Sequence, residues 1–213
     1  MRLNNWPVSV ASVRVYQDPP IDKHLKNYEL TLAAWAKVLE YRHQETEGHC
    51  RRVTDLSVRL ARALGCSQEE VVHIQHGGLL HDIGKLAIPD SVLLKPAPLN
   101  DEERAIIQRH TEYAKEMLSG IAFLQPSICV VYSHHEQWDG QGYPQGLKGE
   151  EIPLLARIFA VADSWDALVS DRPYRRAWSE DEIKAYLKAN AGTRFDPRLV
   201  ETFLKIISFG VKD

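Results

Sequence analysis

The most informative stretch of this sequence is residues 71–85, VVHIQHGGLLHDIGK, in which an apolar helical run leads directly into His81 and Asp82. A histidine and an aspartate at the buried end of a helix are costly to desolvate, and an unpaired carboxylate costs the most. A divalent cation removes that cost, because imidazole nitrogen and carboxylate oxygen are both good metal ligands. Gly84 permits a tight turn or a close backbone approach, and Lys85 places a cation where it could meet an anionic substrate. The pair alone is a weak signal, and a His-Asp pair in a surface turn is the alternative.

Composition restricts the classes of protein that fit. The chain has 213 residues and a net charge of −3, so it can bury one sizeable core and has no basic footprint for duplex nucleic acid. The N-terminus lacks the pattern of a signal peptide, and no apolar run approaches the length of a membrane span. The three cysteines have neither metal-site nor disulfide-framework spacing, so we expect a cytoplasmic protein with reduced thiols; they are Cys50, Cys66 and Cys129.

The helical period dominates the chain, and no internal repeat is visible. Residues 1–21 are expected to form a linker or arm before a single domain over residues 22–213. The predicted fold class is all-α, a single bundle of roughly seven to nine helices.

Capping boxes predict where several of these helices begin. One helix is expected to run unbroken from Asn100 to about Leu118, with Ile106, His110 and Met117 facing inward. The boxes pair Ser67 with Glu70, Asn100 with Glu103 and Ser179 with Glu182.

Further histidines and carboxylates fall at inward positions of other predicted helices. Metal centres in helical bundles are built in this way, from side chains on different helices. The ligands outnumber what one ion needs, so two or three ions, bridged by a carboxylate and by water or hydroxide, fit better. Together with His81 and Asp82, the candidates are Glu45, His49, His110, His134, His135 and Asp163.

Simpler explanations exist for individual candidates. A lone histidine on an apolar stripe, such as His110, is more often a satisfied core residue than a ligand. Glu45 lies four residues before His49 and would share its face on a continuous helix, but it could instead form an exposed ion pair with a neighbouring arginine. Asp166 lies on the polar stripe of Asp163 and is expected to orient ligands rather than bind metal.

Taken in order, these motifs resemble those of the HD-GYP family, a subfamily of the HD-superfamily metal-dependent phosphohydrolases. The resemblance spans about residues 22 to 207 and implies that residues 22–213 form an HD-GYP catalytic domain. The motifs are ETEGH at 45–49, HDIGK at 81–85, His110, HHEQWDGQGYP at 134–144, VAD at 161–163 and DRPYR at 171–175.

The resemblance implies a helical bundle that binds two or three divalent metal ions, iron or manganese. It also implies that Asp82 bridges two ions, and that a glutamate at position 45 is typical of the class with three. The implied ligands are Glu45, His49, His81, Asp82, His110, His134, His135 and Asp163.

The family hydrolyses the bacterial second messenger cyclic di-GMP. The resemblance therefore implies hydrolysis to pGpG by a metal-bridging hydroxide, with further hydrolysis to GMP left open. Asp82 and Lys85 are the expected catalytic residues. Lys85, Arg172 and Arg175 are expected to meet the phosphates, since arginine forks suit bidentate phosphate contacts. Tyr143 is expected to touch the substrate or a partner.

Partners and alternative functions follow from the same resemblance. Family members are linked to diguanylate cyclases through the GYP loop and often carry an upstream sensory domain. Independently of the resemblance, the stripe of Trp35 and Leu39 on the first helix could form a homodimer or could pack inward. The alternatives are an HD phosphohydrolase acting on another cyclic dinucleotide or a nucleotide, and a non-catalytic module that binds the messenger or a cyclase.

Overall fold

A computed structural model describes residues 21–43, 48–171 and 176–209. Within these ranges the chain forms ten α-helices and three 3-10 turns, and its only strand-like pairing is an isolated bridge between Ala191 and Phe195. The all-α bundle predicted from the sequence is confirmed, and nine of the described helices have six residues or more. The helices are α1 (Ile21–His43), α2 (His49–Ala63), α3 (Gln68–Leu80), α4 (Asp90–Leu93), α5 (Asp101–Gln108), α6 (His110–Leu118), α7 (Ile128–Ser133), α8 (Leu154–Val169), α9 (Glu180–Ala189) and α10 (Pro197–Phe209).

Capping boxes start α3, α5 and α9, as predicted. In α5, the Glu103 N–H donates to the Asn100 side chain at 2.8 Å, and the Asn100 N–H donates to the Glu103 carboxylate at 2.9 Å. Each box satisfies backbone N–H groups that a helix start otherwise leaves unpaired.

The prediction of one unbroken helix from Asn100 to Leu118 is wrong, because the helix is interrupted at Arg109, between α5 and α6. The imidazole Nδ1 of His110 lies 2.7 Å from the carbonyl oxygen of Ile107. An unbroken helix would give that carbonyl to the backbone N–H of Thr111. The side chain of His110 therefore occupies the Ile107 carbonyl, which a continuous helix would bond to the backbone.

Two clusters of buried apolar residues form the core. The larger one joins α2, α3, α8, α9 and α10 and includes the fully buried Phe159. The smaller one joins α1, α3, α6 and α7 and includes Leu80. Full burial of each large side chain stabilises the fold by about 1.5–3 kcal/mol. His81 directly follows Leu80, and its ring lies 4.8 Å from that of Phe159, so the polar site begins where the two clusters meet.

Gly84 brings the 3-10 turn Ile83–Ala87 into direct contact with α6. A Cβ atom at this position would overlap the carbonyl oxygen of His110 and lie 2.6 Å from the backbone nitrogen of Ala114. Only glycine fits, as the sequence indicated, and the contact brings Asp82 next to His110. None of the described helices is both long and apolar enough to cross a bilayer.

Candidate metal centre

Seven of the predicted ligands lie in two groups. Within each group, one potential ligand atom from every member lies within 4.8 Å of the others. The members come from α2, from the ends of α3 and α7, from the start of α6 and from α8. The first group is Asp82, His110, His134 and His135, and the second is His49, His81 and Asp163.

Asp82 lies between the two groups and presents one oxygen to each. Its Oδ2 atom lies 3.2 Å from Nε2 of His81, and its Oδ1 atom lies 3.3 Å from Nε2 of His110. The side chain is buried, and among the described residues Oδ1 has no hydrogen-bond partner. Lys85 places its Nζ atom 2.5 Å from Oδ2. The carboxylate therefore lies between the two groups, with Lys85 beside the oxygen that faces His81.

Three of the histidines are oriented by the backbone of their own segment. The Nδ1 atoms of His81, His110 and His134 lie 2.8, 2.7 and 3.0 Å from the carbonyl oxygen three residues earlier. A carbonyl can only accept, so each Nδ1 carries the hydrogen. In a neutral ring the lone pair then sits on Nε2, which points into the site.

His49 is oriented by a side chain instead. Its Nδ1 atom lies 2.7 Å from Oδ2 of Asp166, and its Nε2 atom lies 3.3 Å from Oδ1 of Asp163. The guanidinium of Arg52 donates to Asp166 through Nε at 2.7 Å and Nη2 at 3.0 Å. Burial alone would raise the pKa of Asp166, but the bonds from His49 and Arg52 keep that pKa below its usual value. Asp166 makes the contact expected of a residue that orients a ligand.

Burial sets the protonation of the first group in the metal-free protein. It lowers the pKa of His134 to about 3 and that of His135 well below the usual value, and it lowers the pKa of His110 as well. For Asp82, burial would raise the pKa, but Lys85 and His81 keep it well below the usual range. Neutral imidazoles and an ionised carboxylate are the forms in which these groups bind metal.

Without a cation this arrangement leaves polar atoms unsatisfied. The Nε2 atoms of His110 and His134 are 3.5 Å apart, and both carry lone pairs because their Nδ1 atoms hold the hydrogens. Asp82 Oδ1 faces them, and no donor in the described part of the chain reaches it. A divalent cation would satisfy all three atoms, and a donor set of imidazole and carboxylate suits first-row transition metals. The residues present therefore fit a metal centre.

The remaining predicted site residues divide into two sets. Tyr143 packs its ring on His135 with 4.7 Å between ring centroids, and burial raises its pKa, so it stays a neutral phenol. The side chain of Lys85 is 13% exposed, which leaves its ammonium within reach of the site. Glu45, Arg172 and Arg175 lie outside the described residues, so their roles and the third ion stay predictions.

Two residues at the site were not singled out from the sequence. Arg52 follows His49 by three residues, so on a helix it lies on the same side, which was the available signal. Glu136 follows His135 within the predicted motif. Its buried carboxylate accepts backbone N–H bonds from Gln145 at 2.8 Å and from Leu147 at 3.1 Å.

Comparison with known proteins identifies the family. A family model described as HD domain matches residues 34–199, and the chain belongs to this metal-dependent family. Over 177 residues it is 48% identical to the cyclic di-GMP phosphodiesterase response regulator RpfG of Xanthomonas campestris pv. campestris. This alignment covers 82% of this chain and 47% of that protein. The HD-GYP resemblance predicted from the motifs is confirmed.

Other relatives extend the range of named substrates. Over 172 residues the chain is 42% identical to 3'3'-cGAMP-specific phosphodiesterase 2 of Vibrio cholerae, with 80% of this chain and 33% of that protein covered. A crystal structure of a cyclic GMP-AMP specific phosphodiesterase of V. cholerae, V-cGAP3, has the same fold, with a TM-score of 0.68 at 22% identity, covering 85% of this chain and 49% of that one. The chain thus spans half or less of the length of these relatives.

Proposed function

We propose that this domain is a metal-dependent phosphodiesterase that hydrolyses cyclic di-GMP to the linear dinucleotide pGpG. The observation that carries the proposal is the position of Asp82, which offers one oxygen to each of two histidine groups. A site of this kind suits hydrolysis of a phosphodiester, and a relative with 48% identity is named a cyclic di-GMP phosphodiesterase.

The ions are proposed to be iron or manganese, because imidazole and carboxylate ligands suit both. His110, His134 and His135 would hold one ion and His49, His81 and Asp163 the other, with Asp82 shared. When bound, such ions polarise phosphate oxygens and lower the pKa of water so that it becomes a nucleophile. Glu45 is proposed to add a third ion, on the strength of its motif alone.

The residues around the ions are proposed to bind the substrate's charge. Each phosphodiester carries a negative charge that grows on its oxygens during hydrolysis. Lys85 lies one turn from Asp82 and its side chain is 13% exposed, so we expect it to neutralise a phosphate oxygen. Arg172 and Arg175 are proposed to bind the phosphates bidentately. Tyr143, a neutral phenol, can donate a hydrogen bond to the substrate but cannot add negative charge.

A related substrate is the second candidate. Cyclic di-GMP and 3'3'-cGAMP present the same two phosphodiesters and differ in one base, so the metal groups alone do not discriminate between them. The 42% identity to a 3'3'-cGAMP-specific enzyme favours this alternative. Further hydrolysis of pGpG to GMP is left open in either case.

One experiment tests the activity and the metal together. Anaerobically purified protein is analysed for iron and manganese, and the same sample is given each dinucleotide in separate reactions. Two to three ions per chain with faster release of pGpG from cyclic di-GMP is the expected result. Faster hydrolysis of 3'3'-cGAMP would favour the second candidate, and bound metal without turnover of either would reject a phosphodiesterase of cyclic dinucleotides.

The control for this experiment is Asp82→Asn. The variant keeps the volume of the side chain but removes a charge that both ions would share. It should lose metal and turnover together. Activity that survived in Asp82→Asn would place the reaction elsewhere in the protein.

We also propose that the domain pairs with a second copy through α1. Leu39 of the predicted stripe is 1% exposed and packs inward, whereas Trp35 is 39% exposed. Leu30, Val38 and Tyr41 extend the apolar surface that is open to solvent and are 62%, 56% and 80% exposed. Light scattering should give the mass of a dimer for the wild type and of a monomer for Val38→Glu. A cytoplasmic location, an upstream sensory domain and contact with a diguanylate cyclase stay predictions.

A further inference from the structure

His135 differs from the other four histidines of the two groups in what orients its ring. His49 is bonded through Nδ1 to Asp166, and the remaining three are bonded through Nδ1 to a backbone carbonyl. Among the described residues His135 makes no side-chain hydrogen bond of this kind. Histidines that bind metal almost always donate their second N–H to a neighbour, which fixes the ring. Another feature must therefore orient this imidazole.

Tyr143 supplies the missing support by packing. Its ring lies over that of His135 with 4.7 Å between centroids and 30° between planes. Its backbone N–H also donates to the carbonyl oxygen of His135 at 3.2 Å. The ring of His134 also packs against it, with 4.0 Å between centroids. The orientation of His135 thus depends on where Tyr143 is held.

Glu136 holds the chain on the far side of Tyr143. Its carboxylate is buried and accepts the N–H of Gln145 at 2.8 Å and that of Leu147 at 3.1 Å. These donors lie two and four residues after Tyr143. On the near side, a Cβ atom on Gly142 would lie 2.5 Å from Cα of Glu136, so the loop lies flat against this residue.

The outer part of the same loop is attached elsewhere. The N–H of Trp138 donates to the carbonyl of Arg194 at 3.2 Å, and the N–H of Asp139 donates to that of Thr193 at 2.8 Å. These bonds do not involve Glu136. A change at Glu136 should therefore release residues 143–147 without detaching the loop from the segment between α9 and α10.

We propose that Glu136 is a positioning residue that fixes the loop at Gln145 and Leu147, holds the ring of Tyr143 against His135, and so sets the direction of that imidazole toward the metal. The inference rests on the proposed function, because it takes the first group to be a metal site. In this proposal, a buried carboxylate and a tyrosine ring orient His135, whereas a hydrogen bond to Nδ1 orients each of the other histidines.

The test is Mn²⁺ binding to metal-free protein. Binding is measured by isothermal titration calorimetry and by elemental analysis after gel filtration. Glu136→Gln replaces one acceptor oxygen with an NH₂ group, which cannot bind a backbone N–H. Tyr143→Ala removes the ring, whereas Tyr143→Phe keeps it. We expect Glu136→Gln and Tyr143→Ala each to weaken one class of Mn²⁺ site by about 10-fold, the lower end of the range for residues that support a ligand. Tyr143→Phe should bind Mn²⁺ like the wild type.

Double variants separate positioning from general damage. If Glu136 acts through Tyr143, the combination of Glu136→Gln with Tyr143→Ala should weaken binding no further than either change alone. Asp166→Asn weakens the support of His49 in the other group, so its effect should add to that of Glu136→Gln. Thermal unfolding of each metal-free variant monitors the fold, and Tyr143→Ala alone keeps the test valid if Glu136→Gln does not fold.

Three outcomes would overturn the inference. The first is wild-type Mn²⁺ affinity in Tyr143→Ala, the second is equal weakening of both metal sites by Glu136→Gln, and the third is full additivity of the Glu136 and Tyr143 changes. A wild-type protein that bound neither Mn²⁺ nor Fe²⁺ would instead reject the proposed function, so the two failures are distinguishable.

Discussion

Asp166→Asn offers a direct test of how the second histidine group is built. The Asp166 carboxylate accepts three bonds, one from His49 at 2.7 Å and two from Arg52 at 2.7 and 3.0 Å. An asparagine has one acceptor oxygen, and its NH₂ group must face one of these donors. The substitution therefore sets a donor against a donor in a buried position.

The size of the expected loss of stability depends on which donor, His49 or Arg52, loses its bond to residue 166. A hydrogen bond to a charged group contributes about 1.5–3 kcal/mol to stability. The side chain of Arg52 is 42% exposed and can turn to water, so we expect the asparagine oxygen to stay with His49 and the free energy of unfolding to fall by about 2 kcal/mol. The Mn²⁺ affinity of the group His49, His81 and Asp163 should fall by about 10- to 100-fold, because a neutral amide supports the imidazole less well.

Two assays on metal-free protein measure these effects. Urea unfolding gives the loss of stability, and Mn²⁺ titration gives the loss of affinity. Asp55→Asn is the matched control, since it makes the same change at an exposed position of α2. If Asp166→Asn bound Mn²⁺ as tightly as Asp55→Asn does, Asp166 would not orient His49 for metal and the reasoning would be refuted.

Three further predictions concern other parts of the structure. Gly84→Ala should destabilise the protein by about 3 kcal/mol or more in urea unfolding and lower its metal content, because the new Cβ meets the backbone of α6. The control is Gly120→Ala, which should be nearly neutral because a Cβ there meets no described atom within 4 Å. Lys85→Ala should keep its metal but lose turnover by about 100-fold, and an equal loss of metal would show that Lys85 supports Asp82 rather than the phosphate. His76 is buried, neither of its ring nitrogens has a hydrogen-bond partner among the described residues, and burial lowers its pKa. The unfolded chain therefore takes up this proton near pH 6.5 and the folded protein only at lower pH, so stability falls as the pH drops below about 6.5, by up to about 1.4 kcal/mol per pH unit. His76→Leu should make that decline shallower in urea unfolding of metal-free protein between pH 7 and 5, and an unchanged slope would contradict the assignment.

Much of this arrangement could be predicted because its determinants are local in sequence. A capping box needs only two residues three positions apart, and all three that were predicted are present. The pairing of His81 with Asp82 at the end of an apolar helix is visible in the chain itself. The motifs then predicted the remaining candidate ligands by type and order.

The features that were missed depend on contacts between distant segments. Ile106 and Met117 were expected to face inward but are 37% and 44% exposed. In the sequence, the helical spacing of apolar residues continues through Arg109. In the structure, the helix is interrupted there, where the side chain of His110 bonds to the carbonyl of Ile107. The bond between Arg52 and Asp166 joins residues 114 positions apart, and nothing near Arg52 in the sequence indicates a buried partner on α8.

The histidines that end helices have a consequence for mutagenesis and for how such a site arises. His81 and His134 are the residues that follow α3 and α7, and each donates to a carbonyl in the last turn of its helix. Those carbonyls have no partner within the helix, so each ring both completes a helix end and directs its Nε2 atom into the site. An alanine scan at these positions therefore removes a C-terminal cap and a candidate metal ligand in one step, and loss of metal could not be assigned to the ligand alone. The same economy means that helices converging at their C-terminal ends need only a terminal histidine each to acquire nitrogen donors that are already aimed.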